Sequence, residues 1–322
     1  MVIRYAKYQF TIKALASLIL PPYKGSTFRG GFGNAFKKVV CALKRIDCKD
    51  CLLKTRCIYA YIFETSPPPS ENSNNNGFLK INKYEKIPHP FIIEPPDYPK
   101  KEFLPNEYMS FNLILIGKAN DYLPYFIYTF KELGKIGIGK GSGKYELVMV
   151  QAISNGLKQT VYLSKDETIK PVSANELNIE ETFNFTEEKN ETITINFLTP
   201  TRISYKRDLV VKPEFYILIT TLLRRLGLLY YFHCENNNPA WNHKKLIEKA
   251  KEVTIVNNSL KWYDWQRYST RQQTTMKLGG LIGEITYRGN IKPYLSILKA
   301  GEILHIGKGT SFGLGKFILK YF

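Results

Sequence analysis

The chain has 322 residues, 44% of them hydrophobic and 14% aromatic, which excludes a disordered polymer and suits two globular domains better than one. Its 46 Lys and Arg against 28 Asp and Glu give a formal net charge of +18, so the expected partner is a polyanion. No uninterrupted apolar run has the length of a membrane span. The most apolar stretch, residues 215–232, is broken by Arg224 and Arg225, and MVIRYAKYQF at the start lacks the apolar centre of a signal peptide. A cytoplasmic protein with no membrane partner is expected.

Residues 3–12 read as a strand that Leu20-Pro21-Pro22 breaks. Ser26 or Thr27 is then placed to cap a helix running to about Leu43, with Phe32, Phe36, Val39, Val40 and Leu43 on its apolar side. Lys37, Lys38, Lys44 and Arg45 make its other side basic. Arg29 lies among glycines, where a phosphate can approach the backbone. Cys41, Cys48, Cys51 and Cys57 follow, spaced C-x6-C-x2-C-x5-C. A C-x2-C turn with four thiolates suits a structural zinc; the alternative is four ordinary thiols, and disulfides are not expected in a cytosolic protein. Cys234, at the end of an apolar helix, reads as a packed thiol.

Residues 65–77 form a low-complexity loop, and residues 86–105 are rich in proline and expected to run extended over the surface, with His89 a surface residue. A strand over 108–116 opens the next unit, and an acidic connector (Glu180, Glu181, Glu187, Glu188) closes the first half. The second half restarts with a strand over 192–197 and a helix over about 213–232 whose leucines recur at core spacing. His233 reads as a helix-end residue and His243 as a loop residue. In a strand, Trp265, Arg267, Ser269 and Arg271 would share one face. Rings that stack on bases beside guanidinium groups that hold phosphates suit single-stranded RNA; a sheet whose aromatics face the core is the alternative.

One pattern occurs twice. Pro124-Tyr125-Phe126 begins a helical stretch ending in Ile138-Gly139-Lys140-Gly141, and Pro293-Tyr294-Leu295 begins one ending in Ile306-Gly307-Lys308-Gly309. Each continues into Gly-Lys-aromatic and an apolar strand (Gly143-Lys144-Tyr145; Gly315-Lys316-Phe317), the second copy being four residues longer between its glycines. A strand lies upstream of each, so strand–helix–IGKG–strand appears once per half, the mark of tandem α+β modules. The second copy, with Gly301, Gly307, Gly309, Gly313 and Gly315 among His305, Lys308 and Lys316, could cradle an anion on its backbone N–H groups. It is not a phosphate-binding P-loop, since no G-x-x-x-x-G-K-[ST] occurs.

Three stretches carry a resemblance: Tyr23-Lys24-Gly25-Ser26-Thr27-Phe28-Arg29-Gly30; Arg267-Tyr268-Ser269-x-Arg271-Gln272 with Gly279-Gly280; and Leu304-His305-Ile306-Gly307-Lys308 with Phe312-Gly313-Leu314-Gly315. Over nearly its whole length the chain resembles the CRISPR-associated RAMP endoribonucleases, which cut precursor CRISPR RNA within its repeats. The resemblance implies two tandem ferredoxin-like (RRM-like) α+β domains with a C-terminal glycine-rich loop. We set these at 1–188, with an insertion over about 44–107 that carries the cysteines and prolines, and at 189–322. It further implies an antiviral-defence hydrolase that needs no catalytic metal: the upstream 2′-hydroxyl attacks the phosphate and a 2′,3′-cyclic phosphate remains. Such chemistry needs a proton acceptor, a proton donor and cations for the phosphorane charge. Many relatives carry a histidine on the first helix. Here that stretch reads Gly33-Asn34-Ala35-Phe36, and no histidine precedes His89. We therefore expect His305 as acid/base with Tyr23 and Lys308 as catalytic partners. The expected RNA contacts are Arg29, Lys37, Lys38, Lys140, Trp265, Arg267, Arg271 and Lys316. The expected partners are CRISPR repeat RNA, subunits of a CRISPR effector complex and a second copy of the chain. The alternative is a non-cutting RNA-binding RAMP subunit of such a complex.

Overall fold

The computed structural model describes residues 1–44, 46–65, 79, 86–96, 98–179, 191–264, 266–269, 274–277 and 279–321. In the first half β1 (Val2–Ala14) and β2 (Leu18–Ile19) precede α1 (Gly25–Val40). Then come β3 (Phe91–Glu94), β4 (Glu102–Phe103), β5 (Tyr108–Ile116), α2 (Leu123–Ile136), β6 (Tyr145–Ser154), β7 (Leu157–Leu163) and β8 (Asn175–Asn178). The second half runs through β9 (Glu191–Thr201), β10 (Ser204–Tyr205), β11 (Asp208–Leu209), α3 (Phe215–Tyr230), α4 (His243–Ala250), β12 (Thr254–Asn258) and β13 (Lys261–Tyr263). It ends with β14 (Gln266–Ser269), β15 (Thr274–Lys277), β16 (Gly280–Gly289), α5 (Leu295–Leu304) and β17 (Phe317–Tyr321).

The two main sheets have one topology. The first is ordered β3-β5-β1-β6-β7, with β8 added on β1, and the second β12-β16-β9-β17. All their pairings are antiparallel. In each, the strand before the first helix lies inside, flanked by the third and last strands of a βαββαβ unit. The chain is thus an α+β protein of two tandem ferredoxin-like units, and the repeat read from IGKG is the second helix–strand connection of each.

Alternation builds the first core. Along β1, Ala6, Tyr8, Phe10, Ile12 and Ala14 are buried, while Lys7, Gln9, Thr11 and Lys13 point to the other face and keep partial exposure. Phe28, Phe32, Ala35 and Phe36 give α1 its buried stripe at helical spacing. Their rings interleave with Phe10, Phe111, Phe126 and Phe130 at centroid separations such as 4.5 Å (Phe28–Phe111) and 4.9 Å (Phe32–Phe126). Each buried Phe contributes about 1.5–3 kcal/mol. The helix begins before the Ser26 or Thr27 cap expected from sequence: Lys24 is its N-cap residue and no side chain caps it. A Cβ on Gly25 would lie 2.0 Å from the Phe312 carbonyl oxygen, so a backbone contact with the second half fixes this start.

The second core is shared between the halves. Leu218, Leu222, Leu226 and Leu229 of α3 pack with Ile193, Ile195 and Phe197 of β9, and with Ile3, Ile92, Ile114 and Ile116 from the first sheet. The first sheet is therefore covered on its second face, but only in part. Along β3 burial continues from Ile92 to Glu94, where the buried side chain becomes an acid. Phe215–Glu235 is long and apolar enough to cross a membrane by length and composition alone; here its apolar stripe lies in this core, with buried Arg225.

The structural zinc expected at Cys41, Cys48, Cys51 and Cys57 is not supported. Among the described residues no group of three or more His, Cys, Asp or Glu is placed to hold a metal. Cys48 and Cys57 pack against the first core, and burial raises the Cys48 thiol's pKa, which disfavours the thiolate that a metal needs.

Candidate nucleic-acid interface at the seam

The two glycine loops are built alike. The Ile138 N–H donates to the Gly143 carbonyl at 2.9 Å, and the Ile306 N–H to that of Gly315 at 2.9 Å. The Lys140 N–H donates to Ile19 O (2.9 Å) and the Lys308 N–H to Arg202 O (3.0 Å), tying each loop to the segment between the first strand and the first helix of its own unit. Gly139 and Gly307 both need positive φ (73° and 82°), and a Cβ there would lie 2.2 Å from Ile19 O or 2.4 Å from Arg202 O. Both lysine side chains are exposed.

Among the described residues, only the second loop is hydrogen-bonded to the other half. Its extra residues form a 3-10 turn, Thr310–Phe312, that lies against α1. The Tyr23 hydroxyl donates to Phe312 O at 2.7 Å. Arg29 Nε donates to Ser311 Oγ at 2.9 Å and its Nη2 to His89 Nε2 at 2.8 Å. The guanidinium is sandwiched 4.4 Å from the Phe63 ring and 4.5 Å from the Phe312 ring. Thr199 Oγ1 donates to Gly313 O and accepts from the Lys316 N–H, both at 2.9 Å.

His305 is fully buried and takes φ 61°, ψ 169°, at the helix-end position that Gly137 occupies in the first copy with φ 95°, ψ 160°. This region is almost confined to glycine and costs on the order of 1–3 kcal/mol for another residue. Side-chain contacts hold it: Nδ1 lies 3.1 Å from Leu314 O and Nε2 3.1 Å from Glu94 Oε1. Both partners accept, so a ring protonated on both nitrogens satisfies both. Burial pushes its pKa down, and the Glu94 carboxylate works against that. Arg225, which breaks the apolar stretch 215–232, crosses to Leu304 O (2.8 Å) and His305 O (3.0 Å) and satisfies the end of α5. Burial lowers its pKa to about 9.

Glu94 is the hub of the seam. Its side chain is 4% exposed, and Lys7 Nζ (2.7 Å), Lys316 Nζ (3.2 Å), Asn112 Nδ2 (3.0 Å) and His305 all approach it. Burial would raise its pKa, but the His305 hydrogen bond and the charges of His305, Lys7 and Lys316 outweigh that and hold it well below the usual carboxylate range. Sequence reading missed Glu94 and Lys7. The available signal was an acid closing the apolar run Phe91-Ile92-Ile93, a residue that must find partners if the strand is buried.

Two of the three expected catalytic residues are thus committed elsewhere. His305 has no exposed surface with which to meet a phosphate, and both its ring nitrogens are engaged; its acid/base assignment is corrected to a structural one. Tyr23 hydrogen-bonds a backbone carbonyl, and burial raises its pKa, removing the phenolate from reach. Lys308 alone presents an exposed side chain. Of the expected RNA contacts, Lys38 and Lys140 are exposed, Lys37 and Lys316 half-buried, and Arg29 is taken up in the interlock. Arg267 lies on β14 opposite Met276. Trp265 and Arg271 lie outside the described residues, as do Glu180, Glu181, Glu187 and Glu188. His89 is half-buried rather than a surface residue, with its pKa lowered to about 3 by burial and by Arg29. His233 is fully buried, its ring nitrogens 3.2 Å from the Tyr61 hydroxyl and 2.8 Å from Pro88 O.

Fold and seam together define a tandem ferredoxin-like protein whose C-terminal glycine-rich loop is anchored on its first helix. A family model described as an N-terminal domain (AF_1859_N) matches residues 3–174, and the model for CRISPR-associated endoribonuclease Cas6 matches residues 195–317. The chain belongs to the AF_1859_N family, whose model matches more than half of it, and its C-terminal part is similar to CRISPR-associated endoribonuclease Cas6 over residues 195–317. An uncharacterized protein of Archaeoglobus fulgidus is 24% identical over 94% of this chain and 93% of its own. Among solved structures, a Cas6 product complex matches with TM-score 0.55 and 16% identity, over 98% of this chain and 99% of that one. Thermus thermophilus Cas6 matches with TM-score 0.51 and 16% identity, over 99% of each. A partial Cas6-RT-Cas1–Cas2 complex matches with TM-score 0.53 and 16% identity, over 99% of this chain and 46% of that one. These structural likenesses establish the shared fold.

Proposed function

We propose that this chain, read as domains 1–188 and 189–322, cuts precursor CRISPR RNA within its repeats, without a catalytic metal, by attack of the upstream 2′-hydroxyl to leave a 2′,3′-cyclic phosphate. The observation that carries this reading is the match of residues 195–317 to the CRISPR-associated endoribonuclease Cas6, a span that includes the whole glycine-rich loop. Phosphorane charge has to be met by cations placed in advance. Lys308, exposed at the tip of a loop whose backbone is pinned to Arg202 and whose extra turn is locked to α1, meets that requirement. We assign it to the scissile phosphate, with Lys38 on the exposed side of α1 as a candidate from the first unit. Repeat RNA is the first partner; association with other CRISPR proteins, as in the partial Cas6-RT-Cas1–Cas2 complex, belongs to the same proposal.

One observation favours the second reading, a non-cutting RNA-binding subunit. The chain has four histidines. His89, His233 and His305 are engaged within the seam, and His243 starts α4 in the second half. At α1 the His89 imidazole is taken up by Arg29, and Asn34 is exposed. Purified protein incubated with labelled repeat RNA in EDTA separates the two. A single cut with a cyclic-phosphate end supports the nuclease, whereas tight binding with intact RNA supports the subunit.

A further inference from the structure

The second helix of each unit ends in carbonyls that need donors, and the two halves supply them differently. In the first unit Lys144, from the Gly-Lys-aromatic stretch, turns back on α2. Its Nζ donates to Lys135 O at 2.5 Å and to Ile136 O at 2.8 Å. Lys144 is exposed, so little desolvation opposes this cap. In the second unit the equivalent lysine, Lys316, lies 3.2 Å from Glu94 instead. The end of α5 is left to Arg225, which arrives from α3, 79 residues away. Its Nη2 donates to Leu304 O at 2.8 Å, and its Nε, 3.0 Å from both Leu304 O and His305 O, is shared between them.

For stability alone this is a costly cap. Arg225 is 7% exposed, and among the described residues no carboxylate pairs with it. A buried cation without an anion is unfavourable, and an exposed lysine does the same work on α2. What the guanidinium adds is direction: a planar fork fixes the carbonyls it binds, whereas a single ammonium leaves them latitude. One turn earlier the same two helices meet again, since a Cβ on Gly301 would lie 2.5 Å from Leu222 Cδ2. The end of α5 is therefore held on α3 at two successive turns. Its C-cap residue, His305, is kept at φ 61°. Three residues on stands Lys308, whose own N–H is tied to Arg202 O.

We infer that Arg225 is a positioning residue for cleavage: it fixes the end of α5 so that Lys308 stands at the scissile phosphate, and it does so without touching RNA. The inference rests on the nuclease reading and on the role assigned there to Lys308. Buried under α5, Arg225 has no surface to offer a strand, so its effect falls on the rate of the chemical step and not on affinity. A reacting group displaced by even an ångström loses much of its effect.

The test is a double-mutant cycle on single-turnover cleavage of labelled repeat RNA in EDTA, with RNA affinity measured alongside. Arg225→Lys keeps the charge and loses the fork. It should slow cleavage about tenfold while affinity changes by less than about twofold. Lys308→Ala should slow cleavage more. Adding Arg225→Lys to Lys308→Ala should cost nothing further, because the arginine acts through the lysine. A residue that only held the fold would lower rate and affinity together and would add its loss in the Lys308→Ala background. Should Arg225→Lys fail to fold, Arg225→Gln, which buries no charge, takes its place in the cycle with the same expectations. A wild-type rate in the Arg225 variant, a loss of affinity as large as the loss of rate, or additive losses in the double variant would each overturn the inference alone. Intact RNA with the wild type would bring down the nuclease reading, and an unchanged rate in Lys308→Ala the role of that lysine; either takes the inference with it and is seen before Arg225 is changed.

Discussion

The two IGKG loops share a backbone and differ in what surrounds it. In the first, Gly137 ends α2, the link from Gly141 to Gly143 is a single residue, and a Cβ on Gly141 would meet nothing within 4 Å. In the second, His305 stands where Gly137 does, and the added residues form a turn that packs on α1, with Phe312 against the Arg29 guanidinium, and on β3. The same motif is a plain connection in one half and an interlock in the other. Hydrogen bonds internal to the loop set its shape in both copies; contacts with the opposite half decide what the shape is for.

The largest effect should come from crowding the interlock. A Cβ on Gly313 would lie 2.6 Å from Pro95 Cδ and 2.7 Å from Ile93 O, at φ 83°. Gly313→Ala is expected to cost about 4 kcal/mol, against about 1 kcal/mol for Gly141→Ala, by chemical denaturation. Equal costs would break the contrast between the copies. Next comes the hub: Glu94→Gln leaves Lys7, Lys316 and His305 without their anion and should cost about 3 kcal/mol at neutral pH. Because the Glu94 pKa is depressed in the fold, its stabilisation is present above the unfolded carboxylate pKa and lost as pH falls through the folded value. Acid unfolding of the Gln variant should therefore be the shallower.

A third effect comes from histidines locked neutral at the seam. Burial lowers His233 to about 4, so between the unfolded value of about 6.5 and pH 4 the unfolded chain binds a proton that the folded chain refuses. Stability falls with pH across that window. The loss between pH 7 and pH 5 should shrink by about 2 kcal/mol in His233→Gln, measured by urea titration at the two values. A smaller and more pointed comparison concerns His305. Glycine weakens a helix interior relative to alanine, but at the end of α5, where φ is 61°, the order should be the opposite, with His305→Gly more stable than His305→Ala by about 1 kcal/mol in thermal melts. The smallest stability effect is expected for Lys308→Ala, within about 0.5 kcal/mol; the same variant should show the clearest loss of RNA cleavage of those named, measured in single turnover with EDTA.

Sequence periodicity and repetition carried the architecture. The alternation of β1, the stripe of α1 and the doubled strand–helix–IGKG–strand pattern depend on neighbours a few residues apart, and these led to two α+β units with the loop glycines at positive φ. The charge of +18 pointed to a polyanion in the same way. The site was legible only in outline. His305 in a glycine-rich loop looks like an exposed acid/base until Glu94, 211 residues away, is found against its ring. Tyr23 looks available until Phe312 O is found on its hydroxyl, and Lys7 looks like one solvated charge among many. The cysteine spacing fits a metal on paper, while in space Cys48 and Cys57 turn to the core. Local patterns report which elements form, because hydrogen bonding and burial within an element are set by nearby residues. Which side chain remains free for chemistry is decided by partners far along the chain, through burial and ion pairing that exist only once the two halves are docked.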